Sequence, residues 1–203
     1  MWVLFSAVSA PVLLVGGWTV SAVFQGPGYD PASTTISVLA ADGAGGYWVM
    51  TSALLALGAC HVVTACGLRP AAPLGRAALA GGGLSAMLLA LFPAPLSGGS
   101  FPHGVVVTVG FSLLAVWPVL AVRRGACAGR PIPGRAAPSP GRDAPWGLRP
   151  GPSVGASALM WAGGAWFLLA LFLLAGTAGA AERVLTFGQS FWPLVVVVSC
   201  VRG

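Results

Sequence analysis

Lysine is absent from this chain, and carboxylates nearly so. Asp30, Asp42, Asp143 and Glu182 are the only acidic residues among 203. Charged residues make up 7% of the sequence and hydrophobic residues 57%. A soluble domain carries about a quarter charged residues, so a water-exposed globular surface is excluded and most of this surface must face lipid. Histidine occurs twice, at His61 and His103, and the four cysteines (Cys60, Cys66, Cys127, Cys200) lack metal-ligand spacing. No metal and no other cofactor is therefore expected. None of the cysteines is expected on the oxidising side, which argues against a disulfide framework.

What is present is arginine and long apolar runs. The net charge is +6, carried by ten arginines. They lie in short loops between apolar stretches, which is the topology signal of membrane proteins rather than a nucleic-acid surface. A spanning helix needs about 20 mostly apolar residues. Six stretches qualify, at about 2–24, 48–68, 77–95, 105–122, 154–176 and 184–201. The expected fold is all-α, a single polytopic domain built as a six-helix transmembrane bundle. The first stretch lacks a basic leader and reads as a retained span, not a cleaved signal.

The loops assign sides. With six crossings, Arg69, Arg76, Arg123, Arg124, Arg130, Arg135, Arg142, Arg149 and Arg202 all fall on one side, and Arg183 alone on the other. The excess of arginine places both termini in the cytoplasm of a plasma-membrane protein. The segment 123–152 is rich in Pro, Gly and Arg and reads as a flexible cytoplasmic loop. Small residues mark helix contacts, at Gly81 to Gly83 with Ser85 and at Gly163 and Gly164. Pro118 and Pro193 are expected to kink their helices or end a regular run.

The same threading gathers Asp30, Asp42, His103 and Glu182 on the outer side. Asp30-Pro31 reads as a helix start, with Asp30 the N-cap and Pro31 the first helical residue. Ile36, Leu39 and Ala40 would then share one face of a short helix along the outer interface. Asp42-Gly43 reads as the turn that ends it. Glu182 lies at the start of the last span, where an acid suits the helix dipole and could pair with Arg183. An ionisable group at that depth is equally a candidate site. His103 could shuttle protons beside carboxylates. His61, deep in the second span, reads as a hydrogen-bonding partner of a neighbouring helix. Tyr29, Tyr47, Trp48, Phe101, Phe187, Phe191 and Trp192 gather on the outer side as well. An interfacial aromatic belt explains such clustering, but Phe191 and Trp192 lie deeper than a belt requires and are candidates for lining a pocket.

The run Asp30 to Ser37, the pairs Phe92-Pro93 and His103-Gly104, and Ala181 to Arg183 resemble a bacterial membrane family known as domain of unknown function number 998. The likeness covers nearly the whole chain apart from the Pro/Arg loop, and it implies a compact six-helix bundle.

Two functions fit these residues. One is a metal-independent membrane enzyme that protonates an isoprenoid alkene and cyclises it. This is similar in type to the small integral-membrane terpene cyclases. Such a reaction needs a buried acid, aromatic faces for the cation and exclusion of water. Asp30 or Glu182 would donate the proton, with His103 or Asp42 tuning the donor or taking the final proton. Tyr29, Tyr47, Trp48, Phe101, Phe187, Phe191 and Trp192 would bind the substrate. The alternative is a non-catalytic lipid-binding or structural partner protein, in which the acids cap helices. A transporter fits less well, because polar midplane residues are few. Either way the expected partner is a lipid or prenylated small molecule in the membrane, with no nucleic acid.

Overall fold

Apolar sequence in a bilayer must satisfy its own backbone hydrogen bonds, and helices do so within one segment. A computed structural model describes residues 1–122 and 144–202. Seven helices account for most of them: α1 Trp2–Val23, α2 Ile36–Leu39, α3 Tyr47–Gly67, α4 Pro73–Leu88, α5 Phe101–Leu120, α6 Pro150–Phe172 and α7 Ala178–Arg202. Two 3₁₀ turns, Trp146–Leu148 and Ala175–Thr177, precede α6 and α7. Proline in the first turn starts α4, α5 and α6, where its missing N–H removes no helical bond. Five helices, α1, α3, α5, α6 and α7, are long and apolar enough to cross a membrane. The chain is an integral, multi-pass membrane protein.

The six long helices form a closed ring in chain order. α1 packs on α3, α3 on α4, α4 on α5, α5 on α6 and α6 on α7, and α7 returns to α1. Small residues permit the tightest of these seams. A Cβ added to Gly58 would fall 2.4 Å from the Gly83 carbonyl oxygen, and one added to Gly83 would fall 2.6 Å from that of Gly58. No side chain fits between α3 and α4 at this crossing. At the next seam a Cβ on Gly110 would meet Ser85 Cβ at 2.8 Å. Single polar bonds pin the other seams. Ser6 Oγ lies 2.8 Å from Thr64 Oγ1 between α1 and α3. Ser157 Oγ donates to the Ala115 carbonyl between α6 and α5, at 2.7 Å.

Successive helices alternate in direction, so the ring has two distinct ends. One holds Arg69, Arg76, Arg149 and Arg202. There Arg76 Nε and Nη2 donate to the Ala65 and Cys66 carbonyls, capping the last turn of α3. The other, the acidic end, holds Asp30, Asp42, His103 and Glu182.

Three local expectations change. The helix after Asp30 does not start there: residues 31–35 form turns, and α2 begins at Ile36 with Thr35 as N-cap, its hydroxyl accepting from Val38 N–H at 3.4 Å. The Asp30 carboxylate is spent on the preceding turn. Ile36, Leu39 and Ala40 are buried against α1 and α3. Second, α4 covers Pro73–Leu88, where sequence marked 77–95. It stops short because Pro93 and Pro95 cannot supply helical N–H groups, and its sixteen residues fall below the length of the other five. Third, the end of the Pro/Arg segment is ordered: Leu148 is buried and Trp146 packs on Trp192, ring centroids 5.9 Å apart. The rest of that loop, 123–143, lies outside the described residues. Pro118 and Pro193 sit inside α5 and α7, which continue past them.

The Gly58/Gly83 crossing sets a stability test. Gly83→Leu should cost about 2–3 kcal/mol through overpacking against backbone. It should lower the thermal midpoint and the monodisperse yield in detergent. Gly164→Ala, where an added Cβ meets nothing within 4 Å, should leave the midpoint unchanged or raise it, by up to about 1 kcal/mol of helix propensity.

Candidate functional site

The linker between α1 and α3 carries most of the polar residues at the acidic end, and α7 holds it in place. Its first turn is closed by Asp30. Oδ1 accepts from Ala32 N–H at 3.0 Å, Oδ2 from the Ser33 hydroxyl at 2.9 Å, and the Asp30 carbonyl from Thr34 N–H at 2.8 Å. The Ala32 N–H and the Ser33 hydroxyl hold this exposed carboxyl below the usual carboxylate range.

Arg183 grips the same turn from outside. Its Nη1 donates to the carbonyls of Pro31, Thr34 and Gly179 at 2.7, 2.8 and 3.0 Å, and Nη2 donates to Tyr29 Oη at 2.9 Å. The guanidinium also stands 5.9 Å from the Trp18 ring centroid, a cation–π contact. Gly179 permits this approach, because a Cβ there would lie 2.3 Å from the Thr34 oxygen. Ala180 N–H donates to the Ala32 carbonyl at 2.8 Å, so the linker also caps α7.

Glu182, one residue earlier, turns inward and is 3% exposed. One carboxyl oxygen accepts from Ile36 N–H and the other from the Ser37 hydroxyl at 3.0 Å. The carboxylate thus satisfies the first N–H of α2, which has no partner within its own helix. Two neighbouring side chains on α7 clamp the two halves of one linker. Arg183 sends its donors to carbonyls and Tyr29, not to Glu182.

Behind this clamp the ring encloses a cavity of about 60 Å³. Ile36, Ser37 and Ala40 of the linker roof it. Glu182, Ser37 and His103 line its outer part. Leu57, Val106 and Phe111 form an apolar middle, and His61, Gln189 and Leu114 line its deep part. At the usual rise per residue, Gln189 lies about 16 Å along α7 and His61 about 21 Å along α3 from their ends at the acidic side. His103 Nδ1 lies 2.8 Å from the Phe92 carbonyl. The ring must donate there, so in the neutral imidazole Nε2 is left as the acceptor.

A second space, a groove of about 640 Å³, opens sideways between the start of α5 and the end of α6. Phe101, Val105, Thr108, Phe167, Leu171 and Phe172 line it. Ser37, Ala94, His103 and Val107 line both, so groove and cavity share a wall.

The residues singled out from sequence separate into groups. Glu182 and His103 share the cavity wall. Asp30 closes its exposed turn, and Asp42 is exposed beside Gly43, whose φ of 83° marks the reversal into α3. Tyr29 serves Arg183. Tyr47 and Trp48 pack edge to face at 5.0 Å, with Trp48 78% exposed. Phe101 lies on the groove rim. Phe187 and Phe191 stack at 5.5 Å on the outside of α7, and Trp192 packs toward Trp146. Phe111 supplies the aromatic ring on the cavity wall. His61 Nδ1 has no hydrogen-bond partner, so the expected bond to a neighbouring helix is absent at that atom. Among the described residues no group of three or more His, Cys, Asp or Glu is placed to hold a metal, and Cys60, Cys66 and Cys200 are free. Ser37, Gln189 and Phe111 join the site from the structure alone. Gln189 carried a readable signal, since an amide within an apolar span rarely lacks a role.

Two outcomes test the clamp. Arg183→Ala should speed hydrogen exchange and proteolysis at residues 29–35 by tenfold or more, having lost four hydrogen bonds at about 0.5–1.5 kcal/mol each, while Tyr29→Phe loses one and should change them less than about tenfold. Because the folded-state pKa of Asp30 is depressed, its contribution to the turn is complete above a pH of about 4 and fades as pH falls through the lower folded value. Asp30→Asn, which keeps an oxygen for Ala32 N–H, should flatten that acid-side increase in exchange.

No curated protein and no solved structure matches the chain. A family model described as protein of unknown function (DUF998) matches residues 7–199. That match takes in every long helix of the ring and both members of the Glu182–Arg183 clamp, and the chain belongs to this family.

Proposed function

We propose that this protein binds a lipid-like molecule, admitting it sideways from the bilayer into the groove between α5 and α6 with its polar end toward the enclosed cavity. One observation carries the reading: a groove of about 640 Å³, within the range of small-molecule sites, shares a wall with a cavity that carries polar groups. In this reading α4 crosses with the other five long helices. The arginine-bearing end and both termini lie in the cytoplasm of the plasma membrane, and the clamp and groove belong to the outer leaflet.

Acid-initiated cyclisation of an isoprenoid is the second reading. It is favoured by the meeting of Glu182 and His103 on one cavity wall. Against it stand the roles of the two acids. Both Glu182 oxygens accept hydrogen bonds from the linker, which commits the carboxyl to holding α2, and Asp30 faces its own turn. Most of the aromatic rings available to stabilise a cation lie outside the cavity.

Val107→Trp, on the wall shared by groove and cavity, separates these possibilities from an inert bundle. Mass spectrometry of apolar molecules co-purifying with the protein should show at least about a fivefold loss relative to wild type with the fold retained, because an indole fills the shared space. Unchanged carry-over would remove the groove from the function. Membranes fed a prenylated substrate test the catalytic reading: cyclised product at an undiminished rate in Glu182→Gln excludes the carboxyl as the acid.

A further inference from the structure

Binding from a bilayer differs from binding from water. An acyl or isoprenoid chain leaving lipid for an apolar groove exchanges one hydrocarbon contact for another and gains little from the hydrophobic effect. Discrimination among lipid-like ligands must come from polar contacts. The cavity offers an unusual set of them at its deep part. Gln189 is 1% exposed and donates from Nε2 to the Phe111 carbonyl at 3.0 Å, which fixes the amide orientation and leaves Oε1 without a partner. His61, also 1% exposed, has no partner for Nδ1. Both residues line the cavity, from α7 and α3, the two neighbours of α1 in the ring. Buried polar atoms are nearly always hydrogen-bonded, so two orphans on one cavity wall point to an absent partner.

We infer that Gln189 and His61 form a hydroxyl-binding subsite, which takes the alcohol end of an otherwise apolar chain seated in the groove. The inference rests on the lipid-binding reading and names the class of ligand. A hydroxyl matches the two orphans: its one proton goes to Gln189 Oε1, which can only accept, and its oxygen accepts from His61 in the Nδ1–H form. A charged end does not match. Of the described residues lining the cavity, Glu182 is the one acid, and it belongs to the outer part with both oxygens engaged. No arginine lines the cavity to receive a carboxylate or phosphate. Size agrees as well. A cavity of about 60 Å³ is well above the roughly 10–15 Å³ that one water needs, so it has room for a terminal –CH₂OH. Water alone could occupy the same positions, and the test separates it from a ligand.

The full-length protein in phosphatidylcholine nanodiscs is titrated with 1-dodecanol and, separately, with 1-methoxydodecane, an equally long chain that lacks the donor. Bound molecules are counted by native mass spectrometry against mole fraction in the lipid, which removes differences in partitioning. Wild type should half-saturate with the alcohol at about tenfold lower mole fraction than with the ether. In Gln189→Met and in His61→Phe the ratio should fall to within twofold of one, with ether binding little changed. Equal binding of alcohol and ether by wild type overturns the hydroxyl subsite and leaves lipid binding standing, with water as the occupant. An alcohol preference that survives both substitutions overturns the assignment to these residues. Binding of neither probe overturns the subsite together with the lipid-binding reading. The wild-type comparison decides the central claim even if a variant fails to fold.

Discussion

A linker beside a membrane cannot leave its backbone groups unpaired, and here the pairing is supplied by one dipeptide on a distant helix. Glu182 takes the first N–H of α2, and Arg183 takes three carbonyls, two of them from the turn before α2. The opposite charges serve opposite needs of the same segment, donors for one and acceptors for the other. This joins the start of α7 to the linker behind α1, closes the ring, and sets Ile36, Ser37 and Ala40 as the roof of the interior. Burying a carboxylate is costly unless it is hydrogen-bonded. The linker meets that condition, which makes roof and clamp mutually dependent.

The interior follows from the ring. Six helices in a closed circuit surround a central space. Where small residues face each other the wall is tight, as at Gly58 and Gly83. Where α5 meets α6, valines and phenylalanines leave the side groove instead. The interior is mostly apolar with a few polar groups, and an apolar groove lies beside it on the lipid-facing side.

Much of this was legible from sequence because membranes impose simple rules. Apolar run length marked the long helices, and the glycines of α4 marked its contact faces. The segregation of four scarce polar residues to one end came from counting crossings. What sequence could not resolve were the three-dimensional partners. Asp30-Pro31 has the pattern of a helix start, but an acidic side chain can close a turn with the next two residues just as well, and that local competition set the helix boundary five residues later. Phe187 and Phe191 shared the depth of a pocket residue but not its rotational position on α7, since depth depends on count and facing depends on the neighbours. Ser37 has no local pattern that announces an inward-facing hydroxyl, and Gln189 is marked only by being an amide deep in an apolar span.

The crossing of α3 and α4 at their glycines has a mechanical meaning. With backbone against backbone at Gly58 and Gly83, those two staves have no slack and can neither part nor slide without losing contact altogether. Any swelling of the interior around a guest must be taken up on the opposite arc, by tilting of α6 and α7. Compliance is thus concentrated in the half of the wall that carries both the side groove and the Glu182–Arg183 pair.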